Sequence, residues 1–154
     1  MKVAITGHTR GIGQEIHNYF LGKGYECVVF SRSNGYDIGK EEDRKRIVNE
    51  SLDCDIFVSN ACVYKDDSQL HLLEGIYNAW ADKEKIIINI SSRVADDTKR
   101  NPRNPVYAEL KYRQDLFCNS KKNWPWIINM KPGMIDTQLT KKRLGTKMKT
   151  ENVV

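Results

Sequence analysis

The sequence predicts an α/β fold in which a parallel sheet lies between two layers of helices. Strand-like and helix-like segments alternate along most of the 154 residues, a pattern typical of parallel sheets. A glycine-rich turn joins the first predicted strand to the first predicted helix. No internal repeat or linker divides the chain, and its length suits one domain. We therefore expect a three-layer, doubly wound sheet of about six strands.

Short apolar runs with β-branched residues, bounded by turn residues, predict the strands. These runs are residues 3–6, 26–31, 35–38, 55–59, 85–90 and 126–130. The run at 85–90 contains three successive isoleucines, as expected of a strand that is buried on both faces.

Apolar residues at helical spacing predict helices over residues 12–23, 40–52, 69–81 and 106–120. Gly24 is typical of a helix end. The polar stretch 95–105 contains two prolines and is predicted to be a loop. We expect one domain over residues 1–137, followed by a basic tail over 138–154.

The composition is that of an ordinary globular protein, with 40% hydrophobic and 29% charged residues. The net charge of +5 suits anionic ligands such as nucleotides. The four cysteines and three histidines form no metal-binding motif, and reduced thiols explain the cysteines best. No apolar run reaches the length of a membrane span, and the N-terminus does not have the pattern of a signal peptide. We expect a cytoplasmic protein with no metal, membrane or nucleic-acid partner.

The glycine-rich turn has the composition of a dinucleotide-binding site. Its glycines let the backbone approach a pyrophosphate closely, and the N-terminus of the following helix provides free N–H groups. The residues predicted to contact the cofactor here are Gly7, Thr9, Arg10, Gly11, Ile12 and Gly13.

The end of the second strand indicates which dinucleotide is preferred. An NAD site usually has an acidic residue there, which binds the ribose hydroxyls. This chain has Ser31 and Arg32 instead, and Arg10 lies in the glycine-rich turn. Arginines can bind a 2′-phosphate, so we predict NADP(H) in preference to NAD(H).

Tyr107 and Lys111 are four residues apart on a predicted helix, so they share one face. A nearby ammonium favours phenolate over phenol and lowers the tyrosine pKa. A serine hydroxyl such as that of Ser92 could bind the oxygen on which charge develops during carbonyl reduction. These three residues are the predicted catalytic set.

With these residues the chain resembles the short-chain dehydrogenase/reductase family. The matching motifs occur in the family's order over residues 1–137. They are the glycine-rich turn, Asp37-Ile38, Ser59-Asn60-Ala61, Asn89-Ile90-Ser91-Ser92, Tyr107-x-x-x-Lys111 and Pro132-Gly133-x-x-x-Thr137.

The resemblance implies a Rossmann-type fold and a role for each matching residue. Ser92 would polarise the substrate, Tyr107 would be the general acid/base, and Lys111 would tune Tyr107 and hold the nicotinamide ribose. The other implied cofactor contacts are Asp37 at the adenine, Asn60 near the ribose, Ile135 and Thr137 at the carboxamide, and the adjoining Ile38, Ala61, Pro132 and Gly133.

The chain also departs from the family pattern. The family's catalytic asparagine aligns near Leu72, and we do not assign its role to Asn78, nearly two turns later. Cys62 replaces a usual glycine and is predicted to be a small packed residue. Ser92 and Tyr107 are two residues further apart than is typical. The segment between Asn60 and Ser92 is short, and the basic tail replaces the usual substrate-covering region.

We therefore predict an oxidoreductase that transfers a hydride between NADP(H) and a small-molecule carbonyl or alcohol substrate. The resemblance also implies a homodimer or homotetramer. An alternative is an NADP(H)-binding sensor or regulator with little turnover. A third hypothesis, binding of nucleic acid by the basic tail, predicts affinity that falls steeply with salt.

Overall fold

Five parallel strands form one sheet in a computed structural model that describes residues 1–97, 104–134 and 147–149. The strand order is β2-β1-β3-β4-β5. The strands are β1 (Lys2–Thr6), β2 (Glu26–Phe30), β3 (Ile56–Ser59), β4 (Ile86–Ile90) and β5 (Trp126–Met130). All four neighbouring pairs are parallel. The predicted α/β doubly wound fold is confirmed.

Helices connect the strands, as parallel pairing requires. They are α1 (Gly11–Gly22), α2 (Glu41–Glu50), α3 (Ser68–Ala79) and α4 (Pro105–Ser120). Two short 3-10 helices, Arg32–Asn34 and Arg93–Asp97, follow β2 and β4. The second of these overlaps the start of the predicted loop 95–105, of which residues 98–103 are outside the described part of the chain.

The molecule has three layers, with helices packed on both faces of the sheet through two apolar clusters. On one face of the sheet, Ile16 and Phe20 of α1 pack with Val3, Ile5 and Val58. The other face has a larger cluster that includes residues from α2, α3 and α4. Its members with at most 1% exposure are Ala4, Phe30, Ile47, Cys54, Phe57, Leu72, Leu73, Ile76, Trp80 and Ile87. Burial of this apolar surface is the main term that favours the folded state.

The predicted strand at residues 35–38 is wrong. The chain instead leaves β2 through the 3-10 helix, where Ser31 and Asn34 form a reciprocal cap. Gly35 then has φ of +88°, a left-handed conformation that ends the short helix. Ile38 is buried in the larger core cluster without joining the sheet. Its apolar character reflects this packing and not strand pairing.

The register brings the carboxyl ends of the strands to one edge of the sheet. Thr6 pairs with Phe30, and Ser59 pairs with Asn89. Ligands of open parallel sheets bind outside this edge. The predicted site residues that follow β1, β2, β3 and β4 therefore lie along the same side of the molecule.

Of the predicted tail over 138–154, the structure describes residues 147–149. The backbone N–H of Met148 donates to the carbonyl of Met134 at 2.9 Å. This stretch therefore lies beside the segment that follows β5. The predicted contacts Ile135 and Thr137 are outside the described residues.

Two tryptophans provide a matched test of where the stabilising core lies. Trp80 is fully buried and meets Phe57 edge to face, whereas Trp126 is 59% exposed on β5. We expect Trp80→Ala to lower the free energy of unfolding by about 3–5 kcal/mol. Trp126→Ala should change it by less than about 1 kcal/mol. Urea denaturation measures both, and equal losses would contradict this assignment of the core.

Candidate functional site

The glycine-rich turn after β1 has a backbone conformation that favours glycine at two positions and leaves no room for a side chain at a third. Gly7 and Gly11 have φ of +72° and +57°, in the left-handed region. A Cβ on Gly13 would lie 2.1 Å from the carbonyl oxygen of Gly7 and 2.4 Å from Nδ2 of Asn60. The turn is therefore closed tightly upon itself at the start of α1.

Hydrogen bonds between the end of β1 and the residues that follow β3 hold this turn in place. The hydroxyl of Thr6 donates to the carbonyl of Val58 at 3.2 Å and accepts the N–H groups of Asn60 and Ala61 at 3.0 and 3.1 Å. The Asn60 amide donates to the carbonyls of Thr6 and Gly7 at 3.2 and 3.1 Å. Asn60 thus braces the turn directly, and Ala61 adjoins it through its backbone.

The N-terminus of α1 is suited to an anion. Arg10 occupies the N-cap position and makes no side-chain cap, and the first turn contains no acidic residue. The aligned peptide dipoles favour negative charge at this end of a helix. Thr9 and Arg10 are exposed beside it, and Ile12 packs partly against the smaller core cluster.

The predicted 2′-phosphate residues follow β2 at the same edge. The backbone N–H and hydroxyl of Ser31 donate to Asn34 Oδ1 at 2.7 and 3.1 Å, and its hydroxyl lies 2.7 Å from that of Ser33. Ser31 is therefore engaged within its own turn. Arg32 is exposed. Because Thr6 and Phe30 are register partners, Arg10 and Arg32 follow the ends of two adjacent strands.

Asp37 and Ile38 form an anchored turn before α2. The backbone N–H of Asp37 donates to Asp43 Oδ2 at 2.9 Å, and its side chain accepts the N–H of Gly39 at 3.0 Å. This backbone donor is the largest influence that lowers the pKa of the Asp43 carboxyl. The Arg44 guanidinium donates to the carbonyl of Ile38 at 2.7 Å.

The predicted catalytic residues lie on two elements that pack together. Ser92 is half-buried between β4 and the 3-10 helix Arg93–Asp97, and its hydroxyl accepts the N–H of Val94 at 3.4 Å. That 3-10 helix packs against α4. Tyr107 lies in the first turn of α4, where its N–H donates to the N-cap side chain of Asn104 at 3.2 Å. Its ring centroid is 5.0 Å from that of Tyr64.

Lys111 lies one turn after Tyr107 and is only 2% exposed. Its Nζ is 5.7 Å from the centroid of the Tyr107 ring. The ammonium donates to Gln69 Oε1 and to the carbonyl of Ile90, both at 2.8 Å, and to Gln114 Oε1 at 3.3 Å. Three acceptors thus match its three hydrogens.

Burial lowers the pKa of Lys111, because desolvation penalises the charged ammonium. Nearby groups oppose this shift, namely the Cys62 thiol first and then Asp115 and Cys118. Burial raises the pKa of Cys62, and raises that of Cys118 to about 12, so both thiols are neutral near pH 7. Cys62 is half-buried and donates weakly to the carbonyl of Val63 at 3.6 Å.

The segment after β5 closes this part of the site. The N–H of Arg93 donates to the carbonyl of Pro132 at 3.1 Å. A Cβ on Gly133 would make ordinary contact with the Arg93 side chain, 3.7 Å away. Pro132 and Gly133 therefore lie beside the residues that follow Ser92.

Sequence reasoning missed the buried amides that surround Lys111. Gln69, Asn89 and Gln114 are each at most 2% exposed, and Asn129 is the register partner of Asn89. The sequence did contain a signal for these amides. Asn89 and Asn129 are each the fourth residue of an isoleucine-rich strand, and a polar residue at that place indicates a buried hydrogen-bond partner. At the alignment position of the family asparagine, Leu72 is 1% exposed in the larger core cluster, and Asn78 is exposed on α3.

A separate groove of about 690 Å³ lies between α2 and α3, away from these residues. Its lining is Glu41, Arg44, Lys45, Val48, Asn49, His71 and Gly75. Over residues 1–97, 104–134 and 147–149, no helix is long and apolar enough to cross a membrane. The same ranges contain no group of three or more His, Cys, Asp or Glu side chains arranged to bind a metal ion.

Solved structures of short-chain dehydrogenases are similar to this chain. A 3-alpha-hydroxysteroid dehydrogenase from Pseudomonas sp. B-0831, complexed with NADH, matches with a TM-score of 0.81 and 17% identity, over 99% of this chain and 86% of that chain. A short-chain dehydrogenase from Burkholderia cenocepacia J2315, in complex with NADP, matches with a TM-score of 0.81 and 16% identity, over 97% and 79% of the two chains.

A third, from Sphingobium yanoikuyae in complex with NADPH, has a TM-score of 0.77 and 14% identity, over 99% of this chain and 80% of that chain. No protein-family model and no curated protein sequence matches the chain. At these identities the comparisons show the fold. The chain has the fold of the short-chain dehydrogenases/reductases, as its motifs predict.

Two glycines of α1 allow a matched test of the turn. We expect Gly13→Ala to destabilise the protein by about 1–3 kcal/mol, because its Cβ would meet the Gly7 carbonyl and the Asn60 amide. Gly22→Ala meets nothing within 4 Å and should change stability by no more than about 1 kcal/mol. Thermal and urea unfolding of both variants would measure this, and similar effects would contradict the tight closure described above.

Proposed function

We propose that the protein is a short-chain dehydrogenase/reductase that transfers a hydride between NADP(H) and a small-molecule carbonyl or alcohol substrate. The observation that carries this proposal is the position of Lys111, whose buried ammonium lies 5.7 Å from the Tyr107 ring on one face of α4. The fold supports it, since similar structures are dehydrogenases complexed with NADH or NADPH.

The residues at the sheet edge fit a dinucleotide. The closed glycine-rich turn and the uncapped N-terminus of α1 offer N–H donors to a pyrophosphate. Arg10 and Arg32 offer guanidinium groups to a 2′-phosphate. We propose the remaining contacts for the turn at Asp37 and Ile38, for Asn60 and Ala61, and for the segment from Pro132 to Thr137. A bound nicotinamide supplies or accepts the hydride.

We propose that Tyr107 moves the proton. In reduction its phenol gives a proton to the substrate oxygen, and in oxidation its phenolate takes one from the alcohol. A cation beside a phenol favours the phenolate form, and we propose that the buried Lys111 ammonium has this role for Tyr107. The hydroxyl of Ser92 donates a hydrogen bond to the same substrate oxygen, where negative charge develops.

One face of α4 suits contact with a second copy of this chain. Three large apolar residues of α4 are strongly exposed, namely Val106, Tyr112 and Leu116. We propose a homodimer or homotetramer in which this face of α4 is covered. All four cysteines are free thiols, which supports the further proposal of a cytoplasmic location.

A sensor that binds NADP(H) with little turnover is the second candidate. The observation that favours it is Leu72, an apolar core residue at the position where the family resemblance expects a catalytic asparagine. In this alternative the glycine-rich turn has the same role as in the enzyme. The proton-transfer residues would then contribute only to packing and cofactor contact.

Tyr107→Phe distinguishes the two functions. We expect NADPH oxidation, assayed against a panel of aldehydes and ketones, to fall by about 10²–10⁴-fold, because the phenol no longer supplies the proton. NADPH affinity should change little. Tyr19→Phe, on α1 and 48% exposed, is the control and should retain activity. NADPH binding without turnover in the unmodified protein would favour the sensor.

Arg32→Asp tests the cofactor preference. We expect the ratio of kcat/KM for NADPH to that for NADH to fall about tenfold or more, because a charge-assisted contact to the 2′-phosphate is lost. Lys45→Asp makes the same change in net charge on the exposed surface of α2 and serves as the control. An unchanged ratio in Arg32→Asp would show that this guanidinium does not contact the cofactor.

A further inference from the structure

The ammonium of Lys111 is buried against acceptors that carry no charge. All three are amide-type oxygens, from Gln69, Ile90 and Gln114. A buried cation is costly unless its surroundings compensate the charge. Among the described residues, the carboxylate that favours the charged form of Lys111 is that of Asp115, and it is not one of these three acceptors. The path that connects Asp115 to Lys111 is therefore important.

Three side-chain amides form such a path to Asp115. Gln69 Nε2 donates to Asn89 Oδ1 at 3.3 Å, Asn89 Nδ2 donates to Asn129 Oδ1 at 2.9 Å, and Asn129 Nδ2 donates to Asp115 Oδ1 at 2.7 Å. With Lys111 donating to Gln69 Oε1 at 2.8 Å, a continuous chain runs from the cation to the carboxylate. We call these four residues, Gln69, Asn89, Asn129 and Asp115, the amide relay.

The direction of every hydrogen bond in the relay is fixed by its two ends. Lys111 has only donors, so Gln69 must present its oxygen to it, and its nitrogen then faces Asn89. The Asp115 carboxylate has only acceptors, so Asn129 must present its nitrogen to it. Each amide therefore has its oxygen toward the ammonium and its N–H group toward the carboxylate. Hydrogen bonds aligned in this way polarise one another and strengthen the chain.

At the end of the relay opposite Lys111, the Asp115 carboxylate is fixed by further contacts. It is 3% exposed, and its Oδ1 also accepts the hydroxyl of Ser91 at 2.6 Å. The ammonium of Lys131 lies 2.7 Å from Oδ2, and Lys131 also pairs with Asp96 at the surface. The carboxylate is thus part of both the relay and an ion pair at the edge of the protein.

We propose that the amide relay holds the charge and the position of Lys111, so that Gln69, Asn89, Asn129 and Asp115 act as positioning residues for proton transfer at Tyr107. The inference rests on the proposed function, because it assumes that Lys111 acts on Tyr107. The relay provides from side chains of α3, β4, β5 and α4 what a carboxylate in direct contact would provide.

Other titratable groups that face Lys111 are Cys62 after β3, and Cys118 and Tyr107 on α4. Both thiols are neutral near pH 7 because burial raises their pKa values. Burial lowers the pKa of Lys111, and a connected carboxylate raises it. An interrupted relay should therefore lower this pKa further, and the ammonium should lose its proton at a lower pH.

Asn129→Leu tests the relay, because Asn129 does not contact Lys111 directly. The full-length protein is labelled with ¹³Cε-lysine, and the Lys111 signal is assigned by its loss in Lys111→Met. We expect a pH titration by NMR to give a Lys111 pKa lower by about half a unit or more in Asn129→Leu. In the alcohol-oxidising direction, which uses the Tyr107 phenolate beside the Lys111 cation, the alkaline limb of the kcat/KM profile should move to lower pH by the same amount.

Ser91→Ala is the matched control, since it removes another donor to Asp115 and leaves the relay whole. Its Lys111 pKa should not fall. Asp115→Asn, which preserves shape and removes the charge, is a second variant and should lower the pKa as Asn129→Leu does. An unchanged Lys111 pKa in folded Asn129→Leu and Asp115→Asn would overturn the proposal.

The two readouts separate the relay from the proposed function. A lower Lys111 pKa in a protein that binds NADPH without turnover supports the relay as an electrostatic device and contradicts the enzyme. A lower Lys111 pKa together with an unmoved kcat/KM profile overturns the positioning role, because Lys111 would then not control Tyr107.

Discussion

The buried ammonium of Lys111 is the constraint that organises the polar interior of this protein. A charge that is 2% exposed must have every hydrogen bond satisfied, or the fold would bear its full desolvation cost. This requirement explains why Gln69 and Gln114 lie inside an apolar core, and why Asn89 interrupts the isoleucine-rich strand β4. These amides have a common physical cause, although they belong to three separate elements of the sequence.

The parallel sheet makes this arrangement possible. Its register places Asn89 of β4 opposite Asn129 of β5, so that two amides meet across one strand pair. The same register brings the glycine-rich turn after β1 and the Thr6–Asn60 brace to the edge where Ser92 follows β4. The residues proposed for cofactor binding and those proposed for proton transfer thus share one side of the sheet, because all its strands point the same way.

Local features were predictable from the sequence, and long-range partners were not. Gly7, Gly11 and Gly13 are needed because the backbone of one turn has positive φ angles or leaves no space for a Cβ. Their spacing in the sequence was therefore enough to predict the turn. Apolar periodicity likewise predicted four helices and five strands. It failed at residues 35–38, because Ile38 is buried by packing without strand pairing. The partners of Lys111 lie up to 42 residues away and depend on the assembled sheet.

The three hydrogen bonds of Lys111 also bear on its implied contact with a nicotinamide ribose. An ammonium has three hydrogens, and here Gln69, Ile90 and Gln114 each accept one. A ribose hydroxyl would therefore have to replace one of these acceptors. The contact with Gln114 is the longest, at 3.3 Å, whereas the other two are 2.8 Å. Loss of the hydrogen bond from Lys111 to Gln114 should destabilise the site least, because Gln114 Nε2 still donates to Gln69 Oε1. The proposed relay would then stay intact while Lys111 exchanged its Gln114 hydrogen bond for one to the cofactor, so positioning and binding would use different hydrogens of one ammonium.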